Sequence, residues 1–298
     1  MNKILIIGSS GFFGKSIIKY FQNSKHKKTT LYCISRNNFK TQNLNKNIKI
    51  IKINKSLLNI NKLPKADLIF YFLKSKTLLE TKKNFEYFLK LVQQYKKYTK
   101  ILFSSSGSIY GPISKKKKFN ELSKINPKNF EKFNNYKKSY SEQKFYIENE
   151  FSRISKIGYK VSIARCYSFY GKNILDYDFV ISNIINSIKN NKDIILKNKT
   201  KTIRSYMHDY DLANWLVRIC KYSSRDCPIF NVGSNVDIDI IKFSKKLAGE
   251  NNLKVKFKSK VKKKLDYYVP NIKRAQKILK LNNTKNFKTN VELLINKK

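Results

Sequence analysis

Short apolar runs alternate along the chain with longer amphipathic stretches. Residues 3–7, 30–35, 48–53, 67–72, 101–104 and 161–164 are rich in Ile, Leu, Val and aromatic side chains, and their length and composition predict strands. Between them, apolar positions recur at helical spacing over about 12–21, 81–98 and 136–156. Strand, helix, strand in regular succession predicts a parallel sheet covered by helices on both faces. ILII at 4–7 and LIFYF at 68–72 are apolar at consecutive rather than alternate positions, so both faces of these strands are expected to be buried.

After residue 172 the rhythm changes. The pattern predicts helices near 179–189 and 210–222, short extended pieces near 193–196 and 203–208, and a further strand in PIFNVG at 228–233. Asp239 is placed to cap a helix running to residue 250, and a last helical stretch is expected at about 272–279. Residues 1–171 therefore read as one α/β unit that takes back a strand near 228–233. Residues 172–298 read as a smaller mixed region that depends on it. No internal repeat and no flexible linker is visible.

Composition adds a constraint and a temptation. The 298 residues hold 41% hydrophobic and 13% aromatic side chains with only 9 Gly and 5 Pro, which excludes disordered and collagen-like chains. Lys and Arg number 64 against 19 Asp and Glu, a formal net charge of +45, and so strong a charge invites a nucleic-acid reading. Its distribution argues the other way. Only 7 of the 64 are Arg, the side chain whose planar fork suits phosphate and base recognition, while lysines enter even the strand at 48–53. The densest tract, 115–118, reads as a solvated loop. A basic surface still draws small anionic substrates. Cys33, Cys166, Cys220 and Cys227 show no C-x-x-C spacing, and His26 and His208 lie far from any Cys pair, so neither a metal site nor a disulfide framework is expected. No apolar run approaches the roughly 18 residues of a spanning helix, and the chain reads as a cytoplasmic protein without membrane partners.

Two clusters carry chemistry. Gly8-Ser9-Ser10-Gly11-Phe12-Phe13-Gly14 follows the first strand and opens the first helix. Glycines there permit a tight turn and close approach of backbone to a diphosphate, and the helix supplies free N–H groups, so Gly8, Ser10, Gly11, Phe12, Phe13 and Gly14 are candidates to hold a dinucleotide. The second strand ends in Ser35-Arg36 with no carboxylate to accept from a ribose 2′-OH. A hydroxyl followed by a guanidinium suits a 2′-phosphate, which favours NADP over NAD; Arg36 as one more exposed cation is the plain alternative.

The second cluster joins the fifth strand to a long helix. Ser104-Ser105-Ser106-Gly107-Ser108 ends that strand, and Tyr140-Ser141-Glu142-Gln143-Lys144 lies near the head of the helix. Tyr140 and Lys144 at i, i+4 share one helix face. A phenol titrates near 10, and a neighbouring ammonium is expected to lower that value, which suits proton exchange with a substrate oxygen polarised by the Ser106 hydroxyl. With 19 Tyr and 57 Lys a chance Y-x-x-x-K is common; its place behind a serine-rich strand end and a glycine turn sets this one apart.

Together these motifs resemble those of the extended short-chain dehydrogenase/reductase family, in particular its nucleotide-sugar epimerases, dehydratases and reductases. The glycine turn at 8–14, SSSGSIYG at 104–111, YSEQK at 140–144, ARCYSFYG at 164–171, TIRSYMHDYDLANWL at 202–216, FNVGS at 230–234 and YVPNIKRAQKIL at 268–279 match in order over nearly the whole chain. The resemblance implies a Rossmann-type doubly wound parallel sheet with a smaller C-terminal substrate-binding region. It implies Tyr140 as acid/base, Lys144 as its tuner and holder of the nicotinamide ribose, and Ser106 as the group polarising the sugar oxygen. It further implies Arg204 on the nucleotide diphosphate, Ser108 and Asn183 as substrate contacts, and a homodimer formed through two helices.

Departures from the family matter too. Family members that eliminate water carry an acidic pair directly after the catalytic hydroxyl, where this chain has Gly107 and Ser108, so dehydration is disfavoured. Ser168 stands where the family often has Asn. His208, Asp209 and Asp211 form a cluster that reads as helix capping and dipole complementation rather than a metal or triad site. The activity expected is hydride transfer at hexose C4 of a nucleotide sugar, as reductase of a 4-keto-6-deoxy sugar or as 4-epimerase with retained NAD. A redox-inactive binding protein with nucleic-acid affinity is the reading from another class.

Overall fold

Seven parallel strands form the central sheet of the computed structural model, which describes residues 3–22, 29–35, 46–53, 62–96, 98–260 and 265–296. The first half alternates as β1 (Lys3–Ile7), α1 (Phe12–Gln22), β2 (Thr30–Ser35), β3 (Ile48–Lys52), β4 (Leu68–Tyr71), α2 (Leu78–Val92), β5 (Lys100–Ser106), α3 (Asn135–Lys156) and β6 (Lys160–Cys166). The second half adds β7 (Phe169–Tyr170), α4 (Val180–Lys189), β8 (Ile194–Asn198), β9 (Thr202–Arg204), β10 (Met207–His208), α5 (Asp209–Lys221) and β11 (Ile229–Val232). It ends with β12 (Ile238–Asp239), α6 (Ile240–Glu250), β13 (Val255–Ser259), β14 (Asp266–Tyr268), α7 (Lys273–Leu279) and α8 (Phe287–Asn296).

Across the sheet the order is β3-β2-β1-β4-β5-β6-β11, with every neighbouring pair parallel. Strand order reverses between β1 and β4, and in open parallel sheets ligands bind outside the C-terminal ends of the strands at such a reversal. The predicted return strand is β11, which closes the sheet beside β6. This is a Rossmann-type α/β fold.

The consecutive apolar residues of β1 and β4 are buried on both faces, as their pattern predicts. Successive side chains of a strand point to opposite sides, so Ile4, Ile6 and Phe70 pack with Phe12, Ile17, Leu212, Trp215 and Leu216 of α1 and α5. Leu5, Ile7 and Ile69 face the other way, into Phe85, Phe88, Ile147 and Phe151 of α2 and α3. A third core joins α4, α6 and α8 through Ile181, Ile184, Phe243 and Val291.

Several local readings change in three dimensions. Asp239 caps α6, its Oδ1 accepting from the N–H groups of Ile241 and Lys242, as predicted. At α5 the cap is instead the His208 imidazole, whose Nδ1 accepts from the Tyr210 N–H at 3.1 Å. Asp211 turns away from its own helix and accepts from the Thr284 hydroxyl at 2.6 Å and from the Thr284 and Lys285 N–H groups, tying the approach to α8 onto α5. The lysine tract at 115–118 is exposed, and Lys116 and Lys118 also pair with Asp237 at 3.3 and 3.1 Å. The four cysteines are free and buried. Among the described residues no helix is long and apolar enough to cross a membrane, and no three metal-ligating side chains cluster.

Candidate active site

The turn after β1 is shaped by its glycines. Gly8 adopts φ 88°, a left-handed conformation suited to glycine, and donates to the Ile34 carbonyl at 3.1 Å, which ties the turn to β2. A side chain at Gly14 would put its Cβ 2.4 Å from Ser9 Cα, so α1 starts against the turn only because that position has none. At Gly11 the nearest atom to such a Cβ is the Gly8 carbonyl oxygen at 3.4 Å. Among the described residues the N–H groups of Phe12 and Phe13 find no backbone acceptor, as expected for the first turn of a helix. Open space over Gly11, free N–H groups and the positive end of α1 fit the diphosphate of a dinucleotide. The Ser10 carbonyl accepts from Tyr177 at 3.4 Å, and the Phe12 and Phe13 rings pack on Phe169. Ser35 is buried at the end of β2, whereas Arg36 lies outside the described residues.

Gly8 also links this turn to the second cluster. Its Cα abuts the Phe72 backbone just after β4, and the following Leu73 and Lys74 line a crevice shared with Phe103, Tyr140 and Lys144. Lys144 is buried and donates to the Ser104 carbonyl at 2.7 Å, with its Nζ 4.8 Å from the Phe103 ring centre and 5.7 Å from that of Tyr140. Burial lowers its pKa to about 8. Burial pushes the Tyr140 phenol up to about 12, and a hydrogen bond with Ser106 opposes that shift. The expectation that Lys144 makes the phenol more acidic is therefore not met here. The ammonium is spent on a strand carbonyl and its own charge is weakened by desolvation, so burial prevails.

Ser106 meets a residue to which the sequence reading gave no role. The Tyr268 hydroxyl lies 3.3 Å from Ser106 Oγ and donates to the Cys166 carbonyl at 3.4 Å, while its ring packs on Tyr167 at 4.5 Å between centres. Tyr268 stands in the quoted segment 268–279, but nothing in the sequence signals that β14 runs back beside β9 to bring it here. Arg204, at the end of β9, puts its guanidinium 5.8 Å from the Tyr268 ring centre and holds Asp266 at 2.5 Å.

Ser106, Tyr140 and Arg204 are thus brought together around Tyr268, with Lys144 beside Tyr140. Two other candidates are placed differently. Ser108 is buried and its hydroxyl accepts from Ser141 at 3.0 Å, so it braces β5 against α3. Asn183 is exposed on α4 and donates to Asp178 at 2.8 Å; no contact among the described residues joins it to the Tyr140 group. At Gly107 an added Cβ would lie 2.5 Å from the Tyr167 ring, so the site has no space for an acid there without displacing that tyrosine. A larger cavity of about 510 Å³ opens at the N-terminal ends of the central strands, by Ile4 of β1 and Leu68 of β4, between Tyr20, Asn214, Arg218 and Lys280, away from all these groups.

A glycine-lined turn at the strand-order reversal of a parallel sheet is the arrangement at which dinucleotides bind. The chain belongs to the NAD dependent epimerase/dehydratase family, whose model matches residues 4–233. No curated protein matches the sequence. Among solved structures, the dTDP-glucose 4,6-dehydratase of Bacillus anthracis str. Ames, in complex with NAD, superposes with a TM-score of 0.80 at 17% identity over 99% of this chain and 96% of its own. The UDP-N-acetylglucosamine 4-epimerase of Bacillus cereus gives 0.74 at 17% identity over 99% and 96% of the two chains. The UDP-glucuronic acid 4-epimerase of Bacillus cereus, in complex with UDP-glucuronic acid and NAD, gives 0.74 at 16% identity over 97% and 96%.

Proposed function

We propose that this enzyme catalyses hydride transfer at C4 of a nucleotide-linked hexose, with Tyr140 exchanging the proton on the sugar oxygen. The observation that carries the reading is the meeting of Tyr140 and Lys144 in a crevice that approaches the glycine turn through residues 72–74, with Ser106 hydrogen-bonded to Tyr140. Gly8, Ser10, Gly11, Phe12, Phe13 and Gly14 would hold the cofactor diphosphate, Ser35 and Arg36 its adenosine ribose, and Tyr140 and Lys144 its nicotinamide ribose. When bound, the nicotinamide supplies the site that gives and takes hydride.

The protein residues handle the proton. A phenol whose pKa is about 12 is protonated at neutral pH, so the unliganded site stands ready to donate to a carbonyl oxygen, the direction of reduction. Ser106 would hold that oxygen, and substrate must displace or share the Tyr268 hydroxyl to reach it. Lys144, with a pKa of about 8, is mostly charged at neutral pH and supports negative charge developing on the phenol. Arg204 would face the sugar-nucleotide diphosphate. Elimination of water is disfavoured because Tyr167 fills the space where an acid would stand beside Ser106.

Ser35-Arg36 and a protonated Tyr140 favour reduction of a 4-keto-6-deoxy sugar nucleotide by NADPH. The 4-epimerases named above among the structural neighbours favour a second reading, a 4-epimerase that retains NAD. Incubating purified protein with NADPH and a dTDP- or UDP-4-keto-6-deoxyhexose tests the first; release of NAD(H) from heat-denatured protein tests the second. Tyr140→Phe should lower turnover by about 10³-fold in either case while cofactor still raises the melting temperature. Wild-type turnover in that variant removes Tyr140 from the mechanism. A homodimer formed through two helices accompanies this proposal, and light scattering of purified protein checks it.

A further inference from the structure

Lys137 lies one helical turn before Tyr140 on α3, half-buried, with its Nζ 4.5 Å from the Phe133 ring centre and 5.7 Å from that of Tyr268. Among the described residues its ammonium makes no hydrogen bond or ion pair and lies over two aromatic faces, while its backbone donates to Asn134 and accepts from Ser141. An ammonium on an aromatic face keeps only part of what water gave it. Burial accordingly lowers its pKa, with Asp266 opposing the shift and Arg204 adding to it. The nearest acid does not balance it: the Asp266 carboxylate is gripped by the Arg204 guanidinium at 2.5 Å, and that pair sums to zero charge. Among the described residues Lys137 is a cation of this wall with no acid paired to it.

Tyr268 fixes where that charge acts. Its hydroxyl touches Ser106, which also hydrogen-bonds Tyr140, while its ring carries Lys137. An anion paired with Lys137 therefore sits within one side-chain length of the group proposed to hold the reacting sugar oxygen. Arg204 meets the same ring and is the residue proposed for the diphosphate. Arg204, proposed to donate to the diphosphate while paired with Asp266, and a separate unpaired ammonium on the Tyr268 ring match a substrate with a second negative group on the sugar itself.

We propose that Lys137 is a specificity-determining residue that receives a carboxylate borne by the sugar, so that the preferred substrate is a nucleotide-linked acidic sugar. This rests on the nucleotide-sugar reading above in its 4-epimerase form, since a 6-deoxy sugar has no C6 carboxylate to offer. The test uses two pairs of probes that differ only in CH₂OH against COO⁻: UDP-glucose with UDP-glucuronic acid, and dTDP-glucose with dTDP-glucuronic acid. Dissociation constants are measured by calorimetry on the full-length protein with NAD present, and the NAD-induced rise in melting temperature reports that each variant is folded. Wild-type protein should bind the acidic member of at least one pair about tenfold more tightly, the preference should vanish in Lys137→Met, and Lys137→Arg should keep it. Equal affinity for both members in the wild type overturns the assignment. So does an equal loss of both members in Lys137→Met, which would place Lys137 on the diphosphate. If no nucleotide sugar binds, neutral or acidic, while NAD does, the proposed function itself falls and Lys137 falls with it.

Discussion

The two walls of the proposed catalytic crevice, one for cofactor and one for substrate, are built on opposite plans. The cofactor wall is one contiguous stretch of seven residues, 8–14, and what matters in it is mostly missing atoms: glycine Cα positions that let backbone approach backbone. The substrate wall is made of side chains from Ser106, Lys137, Tyr140, Tyr167, Arg204 and Tyr268, gathered from β5, α3, the end of β6, β9 and β14. A local turn is decided by its own residues and needs the rest of the protein only as support. A wall assembled from five elements exists only once the fold is complete. The first should therefore respond to substitution by loss of fold and cofactor together, the second by changes in chemistry and specificity at nearly constant stability.

The strongest probe of this contrast is Gly14→Val. The new Cβ would meet Ser9 Cα at 2.4 Å, and both partners are backbone, so α1 must move off the turn. A stability loss of more than about 3 kcal/mol in urea unfolding, with the NAD-induced stabilisation gone, is expected. Gly11→Ala is the control, because its Cβ meets only ordinary contact at 3.4 Å. It should fold almost as well as the parent and yet bind NAD more weakly, since the methyl group enters the space over the turn. A fully stable, NAD-responsive Gly14→Val would show that the turn tolerates what the geometry forbids.

Lys144 sits between the walls, and pH reports on it. Its folded pKa of about 8 lies below the unfolded value of 10.5, so between these values the unfolded chain binds more protons than the folded one. Stability then rises with pH across that window, and below about 8 the buried ammonium costs its full amount, about 3 kcal/mol. Melting curves without cofactor from pH 7 to 10.5, compared between wild type and Lys144→Met, isolate this contribution from the other lysines. The variant should lack that part of the upward slope. Identical slopes would mean that Lys144 titrates as a solvated lysine.

The same division explains what was legible in the sequence. The sheet was readable because β1 and β4 declare their burial in consecutive apolar residues, and β11 is announced by PIFNVG. The glycine turn and the Tyr140–Lys144 pair were readable as spaced motifs. Tyr268 was not, since its position follows from the parallel pairing of β14 with β9 across 64 residues, Tyr268 with Arg204 and Asp266 with Thr202. Nor was α8, whose buried contact is Val291 in an otherwise exposed or half-exposed helix. The sequence around α5 reads as a capping cluster of His208, Asp209 and Asp211 without saying which of them caps. The fold gave that role to His208 and drew Asp211 toward Thr284, a partner 73 residues away.

A smaller effect separates packing from chemistry on the substrate wall. Gly107→Asp pushes its Cβ to 2.5 Å from the Tyr167 ring, a clash with a side chain rather than with backbone. The variant should lose about 2 kcal/mol, and Tyr167→Ala in the same chain should return part of it by making room. Additive losses in the double variant, measured by urea unfolding, would show that the ring yields freely and that packing does not keep an acid out of this position.

The smallest and most selective change is Tyr268→Phe. It keeps the ring that packs on Tyr167 and removes one hydroxyl, which touches Ser106 Oγ at 3.3 Å and the Cys166 carbonyl at 3.4 Å. Both contacts are long, so stability should change by no more than about 1 kcal/mol. Function should shift more visibly than stability. If substrate competes with that hydroxyl for Ser106, its removal lowers KM for the sugar nucleotide; if the two share Ser106, removal raises KM. Either way the cofactor dissociation constant should hold, because no contact of Tyr268 reaches residues 8–14. A parallel change in NAD affinity would join the two walls into one cooperative unit and end the contrast between them.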